Sequence, residues 1–305
     1  MLKFLARRAL LALLVMLTVL TISFGLTRLS GDLAISIAGP QATQQDVEMI
    51  RKAYGLDRPL PVQFASWVVS AASGDLGRSY LYHEQAATLI KARLPITLTL
   101  GLCGLAIALV VAIPLGILAA MREGSLLDRA IMLIAVVGQA MPSFWLGLVL
   151  IITFGLQLGW LPVSGNDDWR GYVLPSIVLA FSAIPSLMRL TRSGMVDALA
   201  SDYIRTARAK GLSRAAIVLK HALRNAAMPV VAISAVQLGF MLSGSIVIES
   251  VFALPGVGYL GWESISKNDF PVVQAVVLFL AVIFILLTLL ADLLNAALDP
   301  RLRAS

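Results

Sequence analysis

Ile96-Thr-Leu-Thr-Leu-Gly-Leu-Cys-Gly-Leu-Ala-Ile-Ala-Leu-Val-Val-Ala-Ile-Pro-Leu-Gly-Ile-Leu-Ala-Ala120 runs for 25 residues without a charge. The hydrocarbon core of a bilayer is crossed by about 20 apolar helical residues. Working outward, five further stretches read the same way: Ala9–Leu26, Ile131–Leu158, Tyr172–Met188, Val230–Phe252 and Val272–Ala291. The expected architecture is an all-α membrane protein of six transmembrane helices. Pro142 falls inside the third span, which is therefore expected to be bent or tilted, with two half-helices as the alternative. The fourth span is short and carries Pro175 and Pro185.

Composition agrees. Of 305 residues, 59% are hydrophobic and 13% charged, and mean hydropathy is +0.88. A soluble domain is roughly a quarter charged, so this chain has too few polar residues to coat a globular surface. Disorder is excluded by the same numbers. Cys103 is the only cysteine and reads as an inert thiol buried in an apolar run. His83 and His221 lie far apart with no cysteine near, so no metal site is read. The first span reads as a retained anchor, because it is longer than a signal-peptide core and no small-x-small cleavage site follows it.

The net charge of +7 marks membrane orientation rather than nucleic-acid binding. Lys3, Arg7, Arg8, Arg122, Arg129, Arg189, Arg192, Arg205, Arg208, Lys210, Arg214, Lys220, Arg224, Arg301 and Arg303 fall on one side of a six-span arrangement. The opposite short loops, 159–171 and 254–271, hold only Arg170 and Lys267. That bias puts both termini in the cytoplasm. The long outer loop 27–95 holds seven basic residues, of which Lys91 and Arg93 near span two run against the rule.

The outer loop has helical signals. Thr43-Gln-Gln-Asp46 resembles a capping box and predicts a helix over 43–55. Phe64, Trp67, Val68 and Ala71 share one face of a second short helix, which suits the membrane surface. Ser73–Gly77 reads as a turn, and a third helix over 84–94 is expected to lead into span two. The loop reads as a docking surface for an outside partner, a cap over the span ends, or both.

Residues 189–228 form the inner loop. Ser201 is placed to cap a helix over Asp202–Lys210 that ends at Gly211, and Ser213 to cap a second helix reaching Met228 before Pro229. Eight of the 24 basic residues lie here. Ile204 and Ala207 form an apolar stripe, with Tyr203 adjacent, and Arg205 and Arg208 a basic one. Such a helix suits a groove in a partner protein; anionic lipid is the competing reading.

Tyr203-Ile-Arg-Thr-Ala-Arg-Ala-Lys-Gly-Leu212, His221-Ala-Leu-Arg-Asn225 and Pro229 resemble the EAA loop of ABC importer permeases, in the dipeptide/oligopeptide/nickel branch. Tyr54–Leu60, Gly74–Ser79, Met141-Pro-Ser-Phe-Trp145, Leu161-Pro-Val-Ser-Gly165 and Glu249-Ser-Val-Phe-Ala-Leu-Pro-Gly-Val-Gly258 are similar to the same branch, so the resemblance covers nearly the whole chain. Arg205-Thr206-Ala207 stand where the wider family has Glu-Ala-Ala, and Leu223-Arg224 where it has Leu-Pro; both are similar to the peptide/nickel branch. Leu29-Ser-Gly-Asp-Leu33 departs from the branch's Pro-Gly-Asp-Pro.

The resemblance implies a type I ABC importer permease in the bacterial inner membrane. It implies a transmembrane helix over 1–26, an external loop over 27–95, a five-helix core over 96–296 and a cytoplasmic tail over 297–305. Partners would be a second permease subunit, one or two ATPase subunits that bind ATP and Mg, an extracytoplasmic solute-binding protein and membrane lipid. Tyr203, Ile204, Arg205, Thr206, Ala207, Arg208, Lys210 and Gly211 would form the coupling helix. Glu249, Pro255, Gly256 and Gly258 would serve an outer gate or a structural turn. Peptides are the expected cargo, with nickel, glutathione or another small solute as alternatives.

The residues themselves point the same way. The chain has no Gly-x4-Gly-Lys-Ser/Thr phosphate loop, so it is expected to be no ATPase and no enzyme, and to hold no cofactor. Few ionisable groups lie within the spans, unlike a proton-coupled carrier, which sets an ATP-independent secondary transporter behind the permease. No histidine lies in a span beside the intramembrane serines, which argues against an intramembrane enzyme. Gly101, Gly104, Gly116, Gly138 and Gly147 are expected to permit close helix packing.

Overall fold

The computed structural model describes residues 2–29, 31–39 and 41–298. The tail expected over 297–305, with Arg301 and Arg303, lies outside the described residues from position 299 onward, as do the side chains of Lys3 and Arg7. Among the described residues the chain is helical, apart from one isolated bridge between Arg78 and Gln85. In order the helices are α1 (Leu2–Leu29), α2 (Leu33–Ala38), α3 (Gln44–Ala53), α4 (Leu60–Ala72), α5 (Ala86–Met121), α6 (Leu126–Ala140), α7 (Ser143–Leu150), α8 (Val173–Ala200), α9 (Asp202–Ala209), α10 (Arg214–Ala216), α11 (Leu223–Val251), α12 (Val257–Ser266) and α13 (Phe270–Leu298). π-helical turns extend α7 over Ile151–Gln157 and join α10 to α11 over Ile217–Ala222. Among the described residues five helices are long and apolar enough to cross a membrane, and α6 with α7 makes a sixth when counted as one span.

Five sequence expectations change. The third span is broken, with α6 and α7 meeting at 97°. Met141 precedes a proline, which disfavours helical geometry at that residue, and it is extended at φ −78°, ψ 129°. The fourth span runs on to Ala200. Pro175 sits in the first turn, where no helical N–H bond is needed, and Pro185 removes only one bond from a helix buried on both flanks. The helix expected over 84–94 is not separate; it is the first part of α5. The second inner helix does not stop at Met228 but continues through Pro229 to Val251. Cys103 is exposed on α5 rather than buried.

Contacts divide the chain into two compact units, 1–97 with 255–285, and 98–254 with 286–305. In the first, Ala86, Leu89 and Ile90 pack with Val257, Leu260, Val272, Ala275 and Val276. Thr43 and Asp46 form the expected capping box on α3. Phe24 of α1 meets Phe64 and Trp67 of α4 at 5.4 and 6.1 Å between ring centroids, so the apolar face read from sequence packs in part on α1 and is half-buried. Asp269, buried, accepts from Ser79 Oγ (2.5 Å) and from the Tyr80 amide (3.1 Å). Beside it Tyr82 donates to Glu263, and Lys267 donates to the same carboxylate at 2.9 Å. Burial pushes Glu263 up, but the hydrogen bonds from Tyr82 and Lys267 and the charges of Lys267 and Arg93 outweigh it and hold the carboxyl below its ordinary value.

In the second unit α8 and α11 form the central pair. The glycines of α5, α6 and α7 sit where neighbouring helices press close. A Cβ on Gly116 would lie 2.7 Å from Thr191 Cβ and 2.8 Å from the Met188 carbonyl oxygen. Gly104 also meets backbone, at the Ser176 carbonyl, whereas Gly101, Gly138 and Gly147 face the side chains of Leu242, Phe181 and Phe252.

Candidate functional site

The inner loop starts where α8 ends. Ser201 does not cap α9 with its side chain, as its position suggested. Its hydroxyl donates to the Ala198 carbonyl at 2.5 Å and satisfies the end of α8 instead. Its own carbonyl accepts from the Ile204 and Arg205 amides and so starts α9. At the other end Gly211 has φ +76° and donates its amide to the Arg208 carbonyl at 3.0 Å, while Leu212 donates to the Ala207 carbonyl at 3.3 Å. This left-handed stop is one that a side chain would strain. A Cβ there would meet nothing within 4 Å, so the constraint is conformational rather than steric. Ser213 caps α10 as expected, accepting from the Ala216 amide at 3.3 Å.

The structure divides the residues expected to form a coupling helix into two sets. Ile204 is fully buried and Ala207 nearly so, packed among Ala120, Met195, Ala198, Ile217, Val218, Ala222 and Ala226 of their own chain. The apolar stripe is therefore not offered to a partner. An isolated eight-residue helix is unstable in water, and this face anchors it. Tyr203, Arg205, Thr206, Arg208, Lys210 and Gly211 are exposed. Arg205 pairs with Asp202 at 3.3 Å, but both side chains are at least 80% exposed, so the pair contributes little. Asn225 Nδ2 donates to the Tyr203 hydroxyl at 2.8 Å and ties α9 to α11.

A second feature was missed in the sequence. Arg192 of α8 grips Asp128 of α6 with Nε to Oδ1 at 2.6 Å and Nη2 to Oδ2 at 2.7 Å. The Gly124 amide donates to the same carboxylate at 3.0 Å, and Asp128 is 4% exposed. The turn between α5 and α6 is thus fixed to the C-terminal part of α8. In the sequence Arg192 reads as one orientation charge among many, and no local spacing links two residues 64 positions apart.

The residues expected at an outer gate are placed as follows. Glu249 is fully buried in α11, and its carbonyl accepts from the Leu254 amide at 2.8 Å. Pro255 is exposed, while Gly256 and Gly258 are buried at the start of α12. The Gly256 carbonyl accepts from Leu260, and the Val257 amide donates to Thr97 Oγ1 at 2.8 Å. Among the described residues no group of His, Cys, Asp and Glu is arranged to hold a metal.

Comparison with known proteins fits this arrangement. Residues 112–304 match the family described as binding-protein-dependent transport system inner membrane component, and residues 1–101 match its N-terminal companion. The glutathione transport system permease protein GsiC of Escherichia coli K12 is 44% identical over 275 residues, covering 90% of each chain. GsiC of Shigella dysenteriae serotype 1 matches equally. Among solved structures, a chain of the MetNI methionine ABC transporter superposes with a TM-score of 0.59 at 20% identity, over 69% of this chain and 96% of that one.

Proposed function

The chain belongs to the binding-protein-dependent transport system inner membrane components, and from that membership we propose how it couples to its ATPase and what it carries. It is a multi-pass permease subunit of an ABC importer, with the type I permease fold, in the bacterial inner membrane, and works with an ATPase and a binding protein. In our reading both termini are cytoplasmic, and Tyr203–Gly211 is the coupling helix that seats in a groove on an ATPase subunit. The chain has no ATP site of its own; ATP and Mg are held by one or two ATPase partners, and a second permease subunit completes the path.

One observation carries this reading. α9 buries Ile204 and Ala207 in its own unit while Tyr203, Arg205, Arg208 and Lys210 stand exposed. A helix so divided is held firmly from behind and presents a basic face, which suits acidic groups on a partner. Glu249, enclosed with its turn, is assigned a structural role at the outer end of α11. The cargo is proposed to be a small peptide. Glutathione, a tripeptide named for relatives 44% identical, is the first candidate, and nickel complexes are the second.

Uptake and substrate-stimulated ATPase activity of the reconstituted importer test this reading. Arg208→Glu and Gly211→Trp chains should insert and assemble yet lose coupling. Undiminished uptake and stimulation in both would remove the coupling role. Mass spectrometry of proteins that co-purify with the tagged chain checks the partner set.

A further inference from the structure

Within the first unit a cavity of about 300 Å³ opens among α1, the turn after α3, α4 and the start of α13. That volume lies at the lower end of the range of small-molecule sites. Its polar lining includes Arg28, Arg58, Arg78, Asp75, Gln63 and Tyr80. Three guanidinium groups against one carboxylate leave it electropositive. Two of its lining residues carry buried atoms without a hydrogen-bond partner: Arg28 Nε, a donor, and Gln63 Oε1, an acceptor. The Gln63 amide nitrogen is already spent, on the Leu56 and Arg58 carbonyls, which fixes the side chain and leaves its oxygen as the unused end. Arg78 uses its guanidinium on the His83 carbonyl, at 2.7 and 2.9 Å, whereas the Arg28 guanidinium stacks over the Phe24 ring at 4.8 Å and keeps its Nε without a hydrogen-bond partner.

A buried polar atom without a partner costs about 1–3 kcal/mol, and native folds keep few of them. Here an orphan donor on a cation and an orphan acceptor on a neutral amide belong to two side chains that line the same cavity, each atom itself buried. Tyr54 and Tyr80 stack edge to face at 6.4 Å beside them, and Trp67 adds an apolar wall. A carboxylate matches the first orphan and an N–H matches the second. An apolar stem between them matches the aromatic wall.

We propose that this cavity is a binding site for a small amino-acid-like or peptide-like carboxylate. Its carboxylate lies against Arg28, with Arg58 beside it, and an amine or amide N–H donates to Gln63 Oε1. The site rests on the reading above that places residues 27–95 outside the membrane, and it belongs to the permease itself rather than to the binding protein.

The test uses the assembled transporter in nanodiscs without its binding protein, titrated calorimetrically with glutathione and with an alanine dipeptide. Saturable binding of either is expected, weakened about tenfold or more by C-terminal amidation and by Arg28→Gln, as for loss of one charge-assisted hydrogen bond. Arg58→Gln, on the loop before α4, repeats the test should Arg28→Gln fail to assemble. Saturable binding that is insensitive to amidation and to both substitutions overturns the site, as does no binding of either peptide. Uptake by the same preparation with its binding protein is measured in parallel. If uptake persists without binding here, only the pocket is refuted; if no ATPase co-purifies, the permease mechanism fails separately.

Discussion

Asn225 reaches across from α11 to the Tyr203 hydroxyl on α9, at 2.8 Å. With the Ile204 and Ala207 anchor, this bond joins the exposed helix to a helix that continues to Val251. A force on α9 is then passed to a membrane-spanning element rather than absorbed in a loop. Tyr203→Phe removes the bond but keeps the ring. Because the bond is exposed, stability should fall by less than about 1 kcal/mol. The ratio of solute imported to ATP hydrolysed should drop more clearly, as measured in proteoliposomes.

Ile204→Ala should be far more damaging to the fold than Arg205→Ala. The first empties a fully buried site and should cost about 2–4 kcal/mol. The second removes an exposed pair and should change stability by less than about 0.5 kcal/mol. Thermal unfolding in detergent separates them, and equal losses would refute the anchored-face picture.

Arg192→Leu leaves the Asp128 carboxylate, 4% exposed, with only the Gly124 amide. The expected cost is about 2 kcal/mol, kept low because Arg192 retains 25% side-chain exposure. Asp128→Asn with Arg192→Leu should recover part of it. A double variant no more stable than the sum of its singles would show that the two residues act separately.

Gly116→Leu should fail to assemble, since its first side-chain atom would already overlap Thr191 and the Met188 carbonyl. Gly211→Ala should assemble normally, at a cost of about 1 kcal/mol from its φ of +76° alone. Yield of monodisperse protein distinguishes the two.

Asp32 accepts from Arg51 at 2.5 Å, and that hydrogen bond first of all holds its carboxyl below the ordinary value. A depressed carboxylate contributes stability that is fully present above its unfolded value of about 3.9 and is lost as pH falls through the lower folded value. The gap in Tm between wild type and Arg51→Gln should therefore stay constant down to about pH 5 and close on further acidification. A gap that widens in acid would contradict the pair's contribution.

Much of this was legible beforehand because it is local. The capping box at Thr43 and Asp46, the stop at Gly211 and the apolar spans depend on neighbours in sequence or on composition. The direction in which a stripe faces is not local. Ile204 and Ala207 have the spacing of a docking face, and only the packing of α8 and α11 shows that they are covered from within. The break after Ala140 was half visible: Pro142 signalled a bend, but its 97° size depends on Met141 leaving helical geometry. The Arg192–Asp128 grip and the Asp269 latch on Ser79 join residues 64 and 190 positions apart, which no periodicity records.

The most direct measurement is disulfide cross-linking between α9 and the ATPase subunit, with Cys103 replaced by serine. A cysteine at the exposed Arg208 position should cross-link to a cysteine scanned along the ATPase groove, and the yield should change with ATP. A cysteine at the buried Ala207 position, one residue away, should not. Cross-linking at 207 but not at 208, or at neither in an active importer, would contradict the claim that this basic face is the coupling surface.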